Sequence, residues 1–254
     1  MRPGRDFRSA PLTDVNRSRI SVTDGIQYAV AATSYEVGEQ WLPPSNPAGL
    51  LTADGTGSLL DVSAMKRIWL YGNGYRYTYD VTATNRGVID LSALETVTGC
   101  RDGYGQLRFI VSRGADIRLG ALREIRAGTS SNMDADYWST ELSIDASRYA
   151  LPRLESAEKT EFTLANSTTL SLPLVRRMEG CRFNWGVNAV VIAPNLLDFQ
   201  NSYLDLLPGR DWQVPAFTNI VRSRISVGGG KKLPVAATSY EVGEQWLPPS
   251  NPAG

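Results

Sequence analysis

Residues able to do chemistry are scarce in this chain, and one absence frames the rest: none of its 254 residues is histidine. That removes the commonest general base, the commonest metal ligand and the usual physiological pH switch. Carboxylates remain. Asp134-Ala135-Asp136 with Asn132 offers oxygens of the kind calcium takes, but no EF-hand spacing surrounds them, so the segment reads as a solvated loop. Gly228-Gly229-Gly230-Lys231-Lys232 has the composition of a phosphate loop without the G-x-x-x-x-G-K-[ST] spacing, and reads as a turn tip. No Ser/Asp or carboxylate pair has a context that marks it as catalytic. The expectation is a protein that is not an enzyme and holds no metal or cofactor.

Binding chemistry is better represented. Trp69 and Tyr71 precede a glycine-rich turn, and Tyr75, Tyr77 and Tyr79 after it fall on alternate positions and share one face of a strand. Such a row either packs a core or stacks on sugar rings. Arg17 and Arg19 recur as Arg222 and Arg224, but two basic residues per copy make a poor nucleic-acid surface. Lys+Arg and Asp+Glu both number 26, so no net charge draws the chain to nucleic acid or anionic membrane. No apolar run is long enough to span a bilayer, and Met1–Asp6 lacks the apolar core of a signal peptide. Production in the cytoplasm is expected, without a membrane partner or a small-molecule ligand. Cys100 and Cys181 each follow a glycine and are read as buried thiols, with a disulfide as the alternative.

The strongest signal is organisational. Residues 3–49 return at 208–254, and 32 of 49 positions are identical across 1–49 and 206–254. Arg17–Val22 is unchanged in Arg222–Val227, and Val30–Gly49 is unchanged in Val235–Gly254. Variation concentrates in 23–29 against 228–234, as an exposed tip would tolerate. Each copy is expected to form a β-hairpin followed by a stiff, proline-rich strap. Tyr35, Trp41, Leu42, Pro43 and Pro44, with their counterparts Tyr240, Trp246, Leu247, Pro248 and Pro249, are the expected assembly contacts.

The elements that must position these residues are short strands. Arg67–Tyr71 and Tyr75–Val81 flank Gly72-Asn73-Gly74 like the limbs of a hairpin. Gln106–Val111 places Leu107, Phe109 and Val111 on alternate positions, and 141–144, 161–164, 168–172 and 187–192 are further candidate strands. Short helices are predicted at 92–97 and 195–206. The expected fold is all-β: a β-sandwich or jelly-roll-like body (50–205) between an N-terminal arm (1–49) and a C-terminal arm (206–254). An all-β body with paired arms resembles virion structural proteins such as phage head or tail components. The expected function is therefore a self-assembling structural protein of a virion, whose arms lock neighbouring subunits. Its expected partners are itself, as a homo-oligomer, and other structural proteins of the particle. The alternative is a carbohydrate-binding or adhesin module using the tyrosine-rich hairpin.

Overall fold

Apolar residues at alternate positions turn one side of each short strand inward, and glycine, asparagine and serine between them turn the chain. In the computed structural model these strands wind as a solenoid. It describes residues 11–37, 47–70, 77–99, 105–128, 138–238 and 240. Rung one holds β1 (Ile20–Thr23), β2 (Gln27–Ala29) and β3 (Ser34–Val37); rung two holds β4 (Ala48–Asp54), β5 (Leu59–Asp61) and β6 (Arg67–Leu70). Rung three comprises β7 (Thr78–Thr84), β8 (Val88–Asp90) and β9 (Thr96–Thr98). Rung four comprises β10 (Gln106–Val111), β11 (Asp116–Arg118) and β12 (Glu124–Arg126). β13 (Thr140–Ile144), β14 (Arg148–Ala150) and β15 (Ser156–Glu158) make rung five. β16 (Thr160–Leu164), β17 (Thr169–Ser171) and β18 (Arg177–Glu179) make rung six. β19 (Arg182–Trp185), β20 (Val190–Ile192) and β21 (Asp198–Gln200) make rung seven. Rung eight has β22 (Tyr203–Leu206) and β23 (Asp211–Gln213), and rung nine has β24 (Arg224–Val227).

The first strand of every rung joins one nine-stranded sheet, and the third strands of rungs one to seven join a seven-stranded sheet. All pairing is parallel, each strand lying on the equivalent strand of the rung before. The second strands split into two four-stranded sheets, with a break between β11 and β14. Register explains the break. Val111 pairs with Ile144 on the first face and Glu124 with Ser156 on the third, so rung five is one residue shorter between them. Across that seam the Tyr149 phenol donates to the Ile117 carbonyl.

The core runs along the solenoid axis. Each rung contributes apolar residues in a repeating spacing, such as Ile89, Leu91, Leu94 and Val97, then Ile117, Leu119, Leu122 and Ile125, all buried. Stacked rungs bring like residues together: Phe162 pairs in register with Phe183, and their rings stack with centroids 4.8 Å apart. In the later rungs the corners repeat too. Lys159, Gly180, Asn201 and Arg222 all take positive φ where the third face turns into the first. Just inside that corner Cys181 is a buried free thiol beside Ala157 and Ser202, in the column that Ser202 and Ser223 continue.

The strand-only composition agrees with the sequence reading, and the sandwich or jelly roll does not: the sheets are long and parallel. β6 and β7 lie in different sheets, so the expected hairpin across Gly72-Asn73-Gly74 is overturned. The same holds for the hairpin expected in copy one between strands at 20–22 and 30–37: β1 and β3 lie in different sheets, the expected turn holds β2 in a third, and neither copy's described part is an extended arm. The helices expected at 92–97 and 195–206 are replaced by turns and by β9, β21 and β22. An alternating strand shows which side is inward; it does not show which strand lies beside it.

Candidate assembly interface

The described parts of the repeated segments lie in the first rungs and in rungs eight and nine of the solenoid. Copy one supplies rung one and the segment beneath it; copy two supplies the end of rung eight and rung nine. Their backbones follow the same path. Leu12 bridges Val30 as Phe217 bridges Val235, and Ala31 donates to the Leu12 carbonyl as Ala236 donates to that of Phe217. Arg17 and Arg222 have φ of 56° and 55°. The Tyr35 phenol donates to the Ser18 carbonyl, and the Tyr240 phenol donates to that of Ser223.

What differs is the cover. Rung two lies on copy one: Ile20, Ser21, Val22 and Thr23 pair with Leu51, Thr52, Ala53 and Asp54. Val30 donates to the Asp61 carbonyl, Gly25 to the Ser58 hydroxyl, and Lys66 to the Thr33 carbonyl. Among the described residues nothing lies on copy two in that way. Val22, Val30 and Tyr35 are 0%, 4% and 0% exposed, whereas Val227, Val235 and Tyr240 are 42%, 47% and 50% exposed. Among the described residues, rung nine therefore presents unpaired strand edges and apolar side chains. Such an edge is a template for another chain.

Of the expected assembly contacts, Tyr35 is a core residue and Tyr240 is its half-bare counterpart. Burial pushes the Tyr35 phenol well above its ordinary range, more than Arg19 lowers it. Trp41, Leu42, Pro43, Pro44, Trp246, Leu247, Pro248 and Pro249 lie outside the described residues, as do Tyr71, Tyr75, Cys100 and the Asn132–Asp136 loop. The aromatic row is divided. Tyr79 is buried in the core, Tyr77 is half-buried with its ring 6.4 Å from that of Tyr79, and Trp69 lies under the Arg67 guanidinium at 5.0 Å. No cluster suited to a metal ion occurs among the described residues, and no helix there is long and apolar enough to cross a membrane.

A second arrangement was not legible in the sequence. On the outward side of the nine-stranded sheet, register aligns Asp80, Arg108, Glu141, Glu161, Arg182, Tyr203 and Arg224 into one row. Arg108 grips Asp80 through two hydrogen bonds of 2.8 and 2.9 Å. Arg182 sits 3.8 Å from Glu161 and 5.0 Å over the Trp138 ring, which meets Tyr203 edge-on at 6.5 Å. An open cleft of about 550 Å³ adjoins them, lined by residues including Thr163, Asn184, Asp205 and Arg210. Burial raises the Glu161 carboxyl above its usual range and Glu141 adds to this, while Arg182 and Asn184 pull it back. These residues lie in separate rungs, so only a search for rung-length periodicity in the sequence could have aligned them.

Compared with family models, curated proteins and solved structures, the chain matches none.

Proposed function

We propose that the protein is a structural one that associates with itself end to end through the terminal rungs of its solenoid. The observation that carries this reading is the contrast between Val30 and Val235: each opens the same twenty-residue run, covered by a rung in one copy and half open in the other. Capped solenoids end on polar surfaces, and an uncapped end favours stacking because it removes apolar area and open strand edges from water. Zero net charge leaves no global repulsion to oppose contact between copies. The reading does not depend on whether the assembly is a virion or another filament. Solution mass measured by light scattering across a concentration series tests it. Growth above 27.8 kDa in multiples of the chain mass is expected; a fixed monomer mass at every concentration rules it out.

A second reading, carbohydrate binding, is favoured by the Trp138–Arg182–Tyr203 grouping beside the cleft rather than by the tyrosine row. Aromatic faces with hydroxyl, amide and carboxylate neighbours suit the apolar faces and hydroxyls of sugars. Titration of tryptophan fluorescence with neutral and uronic-acid hexasaccharides tests it. A saturable change that Trp138→Ala abolishes is expected, and no change with any of them removes the reading.

A further inference from the structure

Resting on the self-association reading, we infer that the bare rung of copy two in one molecule takes the place of copy one against rung two of a second molecule. The occupant of the open end is then rung two of another copy of this chain, joined head to tail by exchange of equivalent rungs.

The two ends carry matched surfaces. Rung two already covers copy one, so the side chains and backbone groups it requires are known. Copy two keeps them outside the tip, where Lys231 replaces the half-buried Ile26. Ile225 and Val227 repeat Ile20 and Val22, and Val235 repeats Val30, in the same backbone geometry. The variable tip does not spoil the match. Val30 donates toward rung two while Ala31 donates away from it to Leu12, so alternate amides face opposite edges. The amide of Ala29 therefore faces away from rung two. Pro234, which replaces Ala29 in copy two, lacks an amide only on the side already turned from the incoming rung. Gly230 keeps the positive φ of Gly25, at 75° against 78°, and so can present its amide to Ser58 as Gly25 does. Lys232 replaces the exposed Gln27, and Leu233 stands for the half-buried Tyr28 as an apolar residue.

Exchange keeps the number of rung contacts at each junction, replacing copy one on rung two by copy two on rung two. The equilibrium is accordingly governed by chain concentration, and weakening copy one shifts it toward linked molecules.

A cysteine pair in the full chain tests the register. Ser21 pairs with Thr52, so exchange places Ser226 of one molecule beside Thr52 of the next. Within one molecule the strands carrying these residues, β4 and β24, are seven steps apart in the sheet, about 34 Å at the usual strand spacing. The variant Thr52→Cys with Ser226→Cys, with Cys100→Ser to remove a competing thiol, is oxidised and run on a denaturing gel. A ladder at multiples of 27.8 kDa is expected, with either single-cysteine variant giving no band above a dimer. Ser21→Cys added to Thr52→Cys should instead close within one molecule and compete with the ladder. Native multimers of the double variant that yield no disulfide ladder would overturn the exchange and leave self-association standing. A monomer at every concentration, without a ladder, would overturn both.

Discussion

Val30 and Val235 occupy the same place in a repeated segment, and each bridges the same counterpart below, Leu12 or Phe217; yet Val30 is enclosed and Val235 is half open. Truncating them should therefore have unequal effects. Val30→Ala removes buried methyl groups and leaves a gap, destabilising the fold by about 2 kcal/mol. Val235→Ala in the monomer should fall within about 0.5 kcal/mol of wild type. Urea denaturation of dilute protein measures both. Equal losses would mean that Val235 is covered in solution at that concentration.

Close stacking of rungs makes two glycines obligatory. A Cβ on Gly87 would lie 2.3 Å from the Ala53 carbonyl oxygen, and one on Gly186 would lie 2.4 Å from the Asn166 amide nitrogen. Both obstacles are backbone, so neither can swing aside. Gly87→Ala and Gly186→Ala should each destabilise by about 1–3 kcal/mol, the usual range for overpacking. Thermal melts followed by circular dichroism check this, with Gly120→Ala, which meets nothing within 4 Å, as the comparison.

Acid should act on two carboxyls in opposite senses. Glu161 has a raised folded value, so its contribution to stability is present below the ordinary 4.5 and is lost as pH rises through the folded value. Burial alone would raise Asp90 as well, but the Ser92 hydroxyl and amide and Arg118 outweigh it and hold it low. Its contribution is present above the ordinary 3.8 and is lost as pH falls through the folded value. Urea midpoints measured across about pH 3–7 should show Glu161→Gln losing the gain on acidification and Asp90→Asn losing part of the decline.

Burial pushes the Cys181 thiol up to about 12, so almost no thiolate forms at neutral pH. A thiol reagent should label Cys181 in a Cys100→Ser background only after denaturant unfolds the core, at least about a hundredfold faster than in native buffer. Rapid labelling of the native protein would place the corner of rungs six and seven in an open state.

Much of the strand content was legible in the sequence because period-two alternation follows from local geometry. Leu107, Phe109 and Val111 turn inward whatever lies beside them, and the inward positions of 161–164 and 168–172 follow the same rule. The equivalence of residues 3–49 and 208–254 was also evident from sequence alone. Neighbours were not. Arg67–Leu70 and Thr78–Thr84 read as hairpin limbs because adjacent strands often pair, but here each pairs with a strand in another rung, Arg67 with Ser34 and Thr78 with Gln106. The regular spacing of Lys159, Gly180, Asn201 and Arg222 was present as a clue, but their residue types differ while their backbone conformation agrees. Tertiary structure alone decided that Glu161, Arg182 and Tyr203 share a row, and that Val30 and Tyr35 are covered while their twins Val235 and Tyr240 are open. The physical reason is that burial belongs to a residue and its neighbours together: the chain encodes the same rung twice, and stacking determines which copy has another rung on top.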